Sequence, residues 1–197
     1  MTKVIVNEFL TLDGVMQAPG GEDEDRSGGF ENGGWQMQYF DAIAGEAIGA
    51  GMAEAGGFLL GRRTYEIFAA YWPNAPEEDA AFAGPLNSLP KYVASTTLSD
   101  PLEWQNSTVL EGDVPEAVEA LKREPGNDLH VIGSGELVQT LMEHYLVDEY
   151  RLMINPIVLG SGRRLFREGN ATNKLRLLDS KTSSTGVLIV SYEPTER

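Results

Sequence analysis

Strand-like and helix-like segments alternate through roughly the front two-thirds of the chain, and the tail holds strand-like segments alone. Each strand–helix–strand crossover returns the chain in the same direction. The order therefore predicts an α/β domain with a mostly parallel sheet and an antiparallel edge built from the tail. Lys3 to Leu10 is β-branched and apolar without a breaker. Gly57 to Leu60, Lys91 to Ser95, Ser107 to Leu110, Leu129 to Ile132 and Val147 to Ile154 also read as strands. Leu175 to Thr182 and Gly186 to Tyr192 read as a closing hairpin around Ser183-Ser184-Thr185. Helices are expected over Gln36 to Ala55, weakened by Gly45, Gly49 and Gly51, and from Gly61-Arg62-Arg63-Thr64 onward. Two more are expected over Val114 to Arg123 and Glu136 to Tyr145. Asp113 is placed to cap the first of these, with Pro115 in its first turn, and Pro125-Gly126 ends it. Leu137, Leu141 and Tyr145 form one stripe on the other.

Residues 18 to 34 read as an exposed, mobile loop, rich in Gly, Asp and Glu, in which the Glu22 to Asp25 run is solvated. Residues 73 to 90 are Pro-rich and loop-like, with one short helix around Asp79 to Ala83. No repeat and no linker divides the chain, so a single domain over residues 1 to 197 is expected.

Charge narrows the function classes. Fifteen Lys and Arg face 30 Asp and Glu, a net charge of −15. Such a chain is expected to be soluble and to be repelled by nucleic acid and anionic lipid. No Lys/Arg run exceeds two residues. Cysteine is absent, which removes disulfides and thiol catalysis. Asn7 and Glu8 break the first apolar run, so it does not read as a secretion signal, and the default expectation is cytoplasmic. His130 and His144 stand apart, so no metal is expected.

Three strand ends share one design: Leu60-Gly61-Arg62-Arg63-Thr64, Ala94-Ser95-Thr96-Thr97 and Ile132-Gly133-Ser134-Gly135. In a parallel sheet, ligands bind at the carboxyl ends of strands. Glycine lets a phosphate reach the backbone, a following helix presents N–H groups and a positive dipole end, and Arg and Ser/Thr add hydrogen bonds. Arginine is electrostatically unfavourable at a helix N-terminus, so the Arg62-Arg63 pair points to a bound anion.

Together with further segments, these pieces resemble the dihydrofolate reductase superfamily. The similarity lies with the branch containing the reductase domain of bacterial riboflavin biosynthesis and its stand-alone relatives. The matching segments run from Phe9-Leu10-Thr11-Leu12-Asp13-Gly14-Val15 to Val158 through Phe166. Between them lie Leu60 through Glu66, Tyr71-Trp72-Pro73, Lys91 through Thr96 and His130 through Gly135. The resemblance implies a three-layer αβα fold around a mixed sheet and an NADPH site. Gly61, Arg62, Arg63 and Thr64 match a phosphate-holding segment, and Ser95 and Thr96 one near the adenosine ribose and its 2′-phosphate. Gly133, Ser134 and Gly135 match the pyrophosphate turn, with Glu136 and Leu137 beginning its helix. Leu12, Asp13 and Gly14 match the place where nicotinamide and substrate meet. Trp35 and Asp41 resemble the tryptophan and helix carboxylate that serve the substrate ring, although Glu46 competes with Asp41 for that register. Gly160 through Arg164 resembles a late motif near the active cleft, whereas Tyr65 and Trp72 read as packing.

The reading is an NADPH-dependent reductase of a small pteridine- or pyrimidine-like heterocycle. Asp13 and Asp41 are its candidate carboxylates, and a homodimer is expected through the C-terminal strands. A catalytically silent NADP-binding sensor or interaction protein and a true dihydrofolate reductase are the alternatives. A preceding zinc deaminase is excluded within this chain, because its Cys ligands are missing.

Overall fold

A computed structural model describes residues 1–170 and 173–195. Among the described residues eight strands and five α-helices form, alternating through the front of the chain with strands alone in the tail, as expected, and the strands lie in the order β4-β3-β2-β5-β1-β6-β8-β7. Contacts divide the chain into two compact units. One comprises Met1–Val6 with Ile48–Asp148, and the other Asn7–Ala47 with Glu149–Arg197.

The first unit is a parallel sheet with its crossover helices. Strands β2 (Ala55–Gly61), β3 (Lys91–Ala94), β4 (Ser107–Val109) and β5 (Asp128–Val131) run the same way, joined by the start of β1 (Val4–Thr11). Phe58, Leu60, Tyr65, Leu86, Val93 and Trp104 form its core, and Trp72 packs against them, as read from the sequence. Helix α4 (Val114–Arg123) forms where its local signals say. Asp113 accepts from the Glu116 N–H at 3.2 Å, and Lys122 and Arg123 occupy the negative end of the dipole.

Residues 73 to 90 are more ordered than their prolines suggest. Two 3-10 turns, Trp72–Asn74 and Glu77–Asp79, lead into α3 (Ala80–Ser88), which carries Pro85 inside it. Proline removes one helical hydrogen bond. Burial of Ala83 and Leu86 offsets that loss, as do the bonds of Asn87 to the Trp72 carbonyl and the Trp104 indole N–H. Lys91, only 1% exposed, donates to the Leu86 and Leu89 carbonyls at 2.7 and 2.9 Å and lies 4.4 Å from the Trp104 ring centroid. It thus closes the carbonyl end of α3, and burial lowers its ammonium to about 8.

In the second unit, β6 (Glu149–Asn155) pairs antiparallel with β8 (Leu188–Pro194), and β8 with β7 (Leu175–Thr182). The expectation of an exposed, mobile loop over 18 to 34 is corrected here. Ala18, Phe30 and Trp35 bury themselves with Val15. Gln17 donates to the Asp25 and Ser27 carbonyls. Glu24 accepts from the Gly20 and Gly21 N–H groups, and Asp25 pairs with Arg163. The polar side chains satisfy the loop's own backbone, so the expected solvated run holds only for Glu22 and Asp23. The helix expected from Gln36 begins later, as α1 (Ala42–Glu54) after a 3-10 turn over Met37–Tyr39, because Asp41 takes the Ala44 N–H at 2.9 Å. Among the described residues no helix is long and apolar enough to cross a membrane.

Candidate active site

The three strand ends singled out in the sequence come together in the first unit. Gly61 pairs in register with Ala94, and Leu59 with Val131, so β3, β2 and β5 end side by side. The Gly61 N–H donates to the Gly133 carbonyl at 3.2 Å. A Cβ on Gly61 would lie 2.0 Å from Ser134 Oγ, and one on Gly133, whose φ is +91°, would lie 2.8 Å from Thr64 Oγ1. Only glycine lets these turns approach so closely.

Two helices start from them: α2 (Arg62–Tyr71) after Gly61, and α5 (Gly135–Glu143) after Ser134. Neither has a side-chain cap, in contrast to α4. Their first turns hold Arg62, Arg63 and Thr64 on one side and Gly135, Glu136 and Leu137 on the other. Arg62 reaches back to Glu66 in an exposed pair at 2.9 Å, and Leu137 is buried as packing. Ser95 Oγ accepts from the Thr97 and Leu98 N–H groups, which fixes the β3 turn, while Thr96 is exposed beside it. Adjacent uncapped helix starts with Arg, Ser and Thr around them form a donor set suited to phosphate. The close glycine turns provide the backbone access that a dinucleotide pyrophosphate needs.

In the second unit, the turn after β1 holds Leu12, Asp13 and Gly14. Gly14, at φ +81°, donates to the Thr11 carbonyl. Leu12 is 65% exposed, with its N–H on the Ile157 carbonyl. Asp13 accepts from Thr11 Oγ1 at 2.6 Å, from the Leu159 and Gly160 N–H groups, and from Arg164. The Thr11 hydroxyl, with the backbone donors, holds the Asp13 carboxyl down at about 2. Asp13 thereby latches the Gly160 to Arg164 loop. Gly162 (φ +110°) packs there so tightly that a Cβ would lie 2.7 Å from Phe30 and Val15 atoms.

Asp41 accepts from the Ser184 hydroxyl and N–H at 2.6 and 2.7 Å, besides capping α1. Chiefly the Ser184 hydroxyl holds it at about 2. Trp35 is 4% exposed and its indole N–H donates to the Gln17 carbonyl at 2.8 Å, which places it in packing. Asp13 and Asp41 are ionised at neutral pH, so neither holds a proton to give.

A carboxyl raised to where it keeps its proton at neutral pH is that of Glu8, which the sequence offered only as a break against a secretion signal. Burial, with Glu24 nearby, raises it to about 8, and its Oε1 is sealed from solvent with no hydrogen-bond partner. The available signal was a carboxylate inside a central strand, between Val6 and Leu10.

A mixed sheet with parallel crossovers, glycine turns at the strand ends and an antiparallel tail defines a protein of the dihydrofolate-reductase-like fold. Within it the chain belongs to the RibD C-terminal domain family, whose model matches residues 2–189. Its relatives include the uncharacterized protein YyaP of Bacillus subtilis (strain 168). That protein is 29% identical over 197 residues, covering 96% of this chain and 94% of that one. A riboflavin-biosynthesis protein by description, from Shewanella sp. PV-4, superposes with a TM-score of 0.71 at 20% identity, over 99% of this chain and 100% of that one. A pyrimidine reductase-like protein of Corynebacterium diphtheriae gives 0.66 at 12%, over 100% and 93%. Dihydrofolate reductase of Enterococcus faecalis, complexed with NADP(H), gives 0.60 at 12%, over 98% and 97%.

Proposed function

We propose that this chain is an NADPH-dependent reductase of a small pteridine- or pyrimidine-like heterocycle. The observation that carries the reading is the contact of two uncapped helix starts through Gly61 and Gly133. Family membership supports a reductase, and a neighbour of the same fold binds NADP(H). Gly133, Ser134 and Gly135 with the α5 start would hold the pyrophosphate. Arg62, Arg63, Thr64, Ser95 and Thr96 would hold the ribose phosphate. When bound, the dihydronicotinamide supplies a hydride. Leu12 and Gly14, in the turn latched by Asp13, are proposed to serve the nicotinamide. The second copy of a homodimer is proposed to meet β7, the edge strand, which exposes Leu177 and Leu178.

Cofactor titration tests the reading. Wild type is expected to bind NADPH more tightly than NADH, and R62A/R63A to lose about tenfold for NADPH with little change for NADH. Equal affinities in both proteins would remove the ribose-phosphate assignment. Tight NADPH binding without oxidation by any heterocycle would favour the silent sensor.

A further inference from the structure

Adding hydride to a C=N or C=O bond leaves an electron pair on the heteroatom, and a proton must meet it there. The donor of that proton must hold it at neutral pH, lie out of bulk water and keep a hydrogen-bonding position open. Asp13 and Asp41 fail the first condition. Asp148 and Glu149 are tied to Lys122 and Arg151, and Asp25 to Arg163. Among the described residues, Glu8 has the one buried carboxyl oxygen without a hydrogen-bond partner. It lies on β1, three residues before Thr11, which opens the turn carrying Leu12, Asp13 and Gly14. Glu24 stands near it, with Oε2 engaged by the Gly20 and Gly21 N–H groups. An aliphatic side chain would fill this strand position without the desolvation that a carboxyl suffers, so packing alone does not ask for Glu8.

We propose that Glu8 is the catalytic acid of the reduction, with Glu24 as its neighbouring carboxyl; this rests on the reductase reading above. The hydride bonds to the electrophilic carbon of the substrate, and the C=N or C=O π pair moves to the heteroatom. The Glu8 O–H bond breaks as its proton joins that pair. Glu8 is left as a carboxylate and regains a proton from water. Each turnover therefore consumes one hydride from the dihydronicotinamide and one proton. The raised affinity of Glu8 for its proton, caused by burial and by Glu24, keeps the acid loaded between turnovers.

The test uses the full chain as wild type, E8Q and E8D. Dihydrofolate and dihydrobiopterin serve as C=N probes and nitrobenzaldehyde as a C=O probe. Expected is reduction of at least one probe by wild type, with NADPH affinity the same in all three proteins. In E8Q, kcat is expected to fall by about 100-fold or more with KM little changed, and E8D to recover part of it. Carbon-labelled glutamate gives a readout apart from turnover: the carboxyl resonance that vanishes in E8Q should report a protonated group at neutral pH. An ionised Glu8 at neutral pH, or E8Q turnover within about threefold of wild type, overturns the acid role while NADPH binding stands. A wild type that fails to bind NADPH, or binds it and reduces no probe, overturns the reductase reading and the acid role together.

Discussion

The Gly61 N–H donates to the Gly133 carbonyl at 3.2 Å, which brings the ends of two parallel strands into backbone contact. The cradle depends on that approach. In G61A the new Cβ would meet not only Ser134 Oγ at 2.0 Å but also Ser134 Cβ and N at 3.0 Å. The hydroxyl can turn away, but the backbone nitrogen cannot. G61A is expected to cost about 1–3 kcal/mol in chemical denaturation and to weaken NADPH binding in a fluorescence titration. An unchanged denaturation midpoint would mean that the turns yield.

Asp13 holds the Gly160 to Arg164 loop through its charge. Its folded value of about 2 lies below the ordinary 3.8, so it adds stability that is fully present above about pH 5 and lost as pH falls through about 2. D13N should be less stable than wild type by about 1–3 kcal/mol at neutral pH. The melting difference between the two proteins should shrink towards zero as pH approaches 2.

Glu8 acts in the opposite sense. Its value rises from 4.5 unfolded to about 8 folded, so the folded chain holds the extra proton between those limits, and stability drops as pH rises through them. E8Q should therefore melt near wild type at about pH 5 and above it at about pH 8.5, by roughly 2–4 °C per kcal/mol recovered. Parallel melting curves at both pH values would remove the burial argument for Glu8.

Lys91 is a buried cation that closes a helix. K91M keeps the stem but leaves the Leu86 and Leu89 carbonyls without their donor. A loss of about 1–3 kcal/mol is expected in urea denaturation. The deficit should widen from about pH 8 towards 10, because the unfolded chain holds the Lys91 proton over that range and the folded chain does not.

The edge strand β7 gives the last test. If it meets a second copy, wild type should sediment as a dimer and L177K/L178K as a monomer, with circular dichroism unchanged. A monomeric wild type would dispose of the interface.

What the sequence determined by itself was local. Asp113 caps the helix that follows it by accepting the Glu116 N–H three residues on, and the strands and crossover helices follow from hydrophobic period. The glycine and hydroxyl turns lie at strand ends because the chain must turn there, and a parallel sheet aligns such ends of itself. Loop 18–34 misled because its charge spoke of water, while Phe30, Trp35 and Gln17 found their partners within the fold. The state of the carboxyls rested on tertiary structure, apart from the local bond that the Thr11 hydroxyl gives Asp13. Asp13 meets Leu159 across 146 residues, and Asp41 meets Ser184 across 143. Glu8 is raised by burial that no neighbouring residue announces. Hydrophobic period and caps act over a few residues, whereas a proton's affinity is set by every charge and dipole the folded chain brings near it, and by the water it excludes.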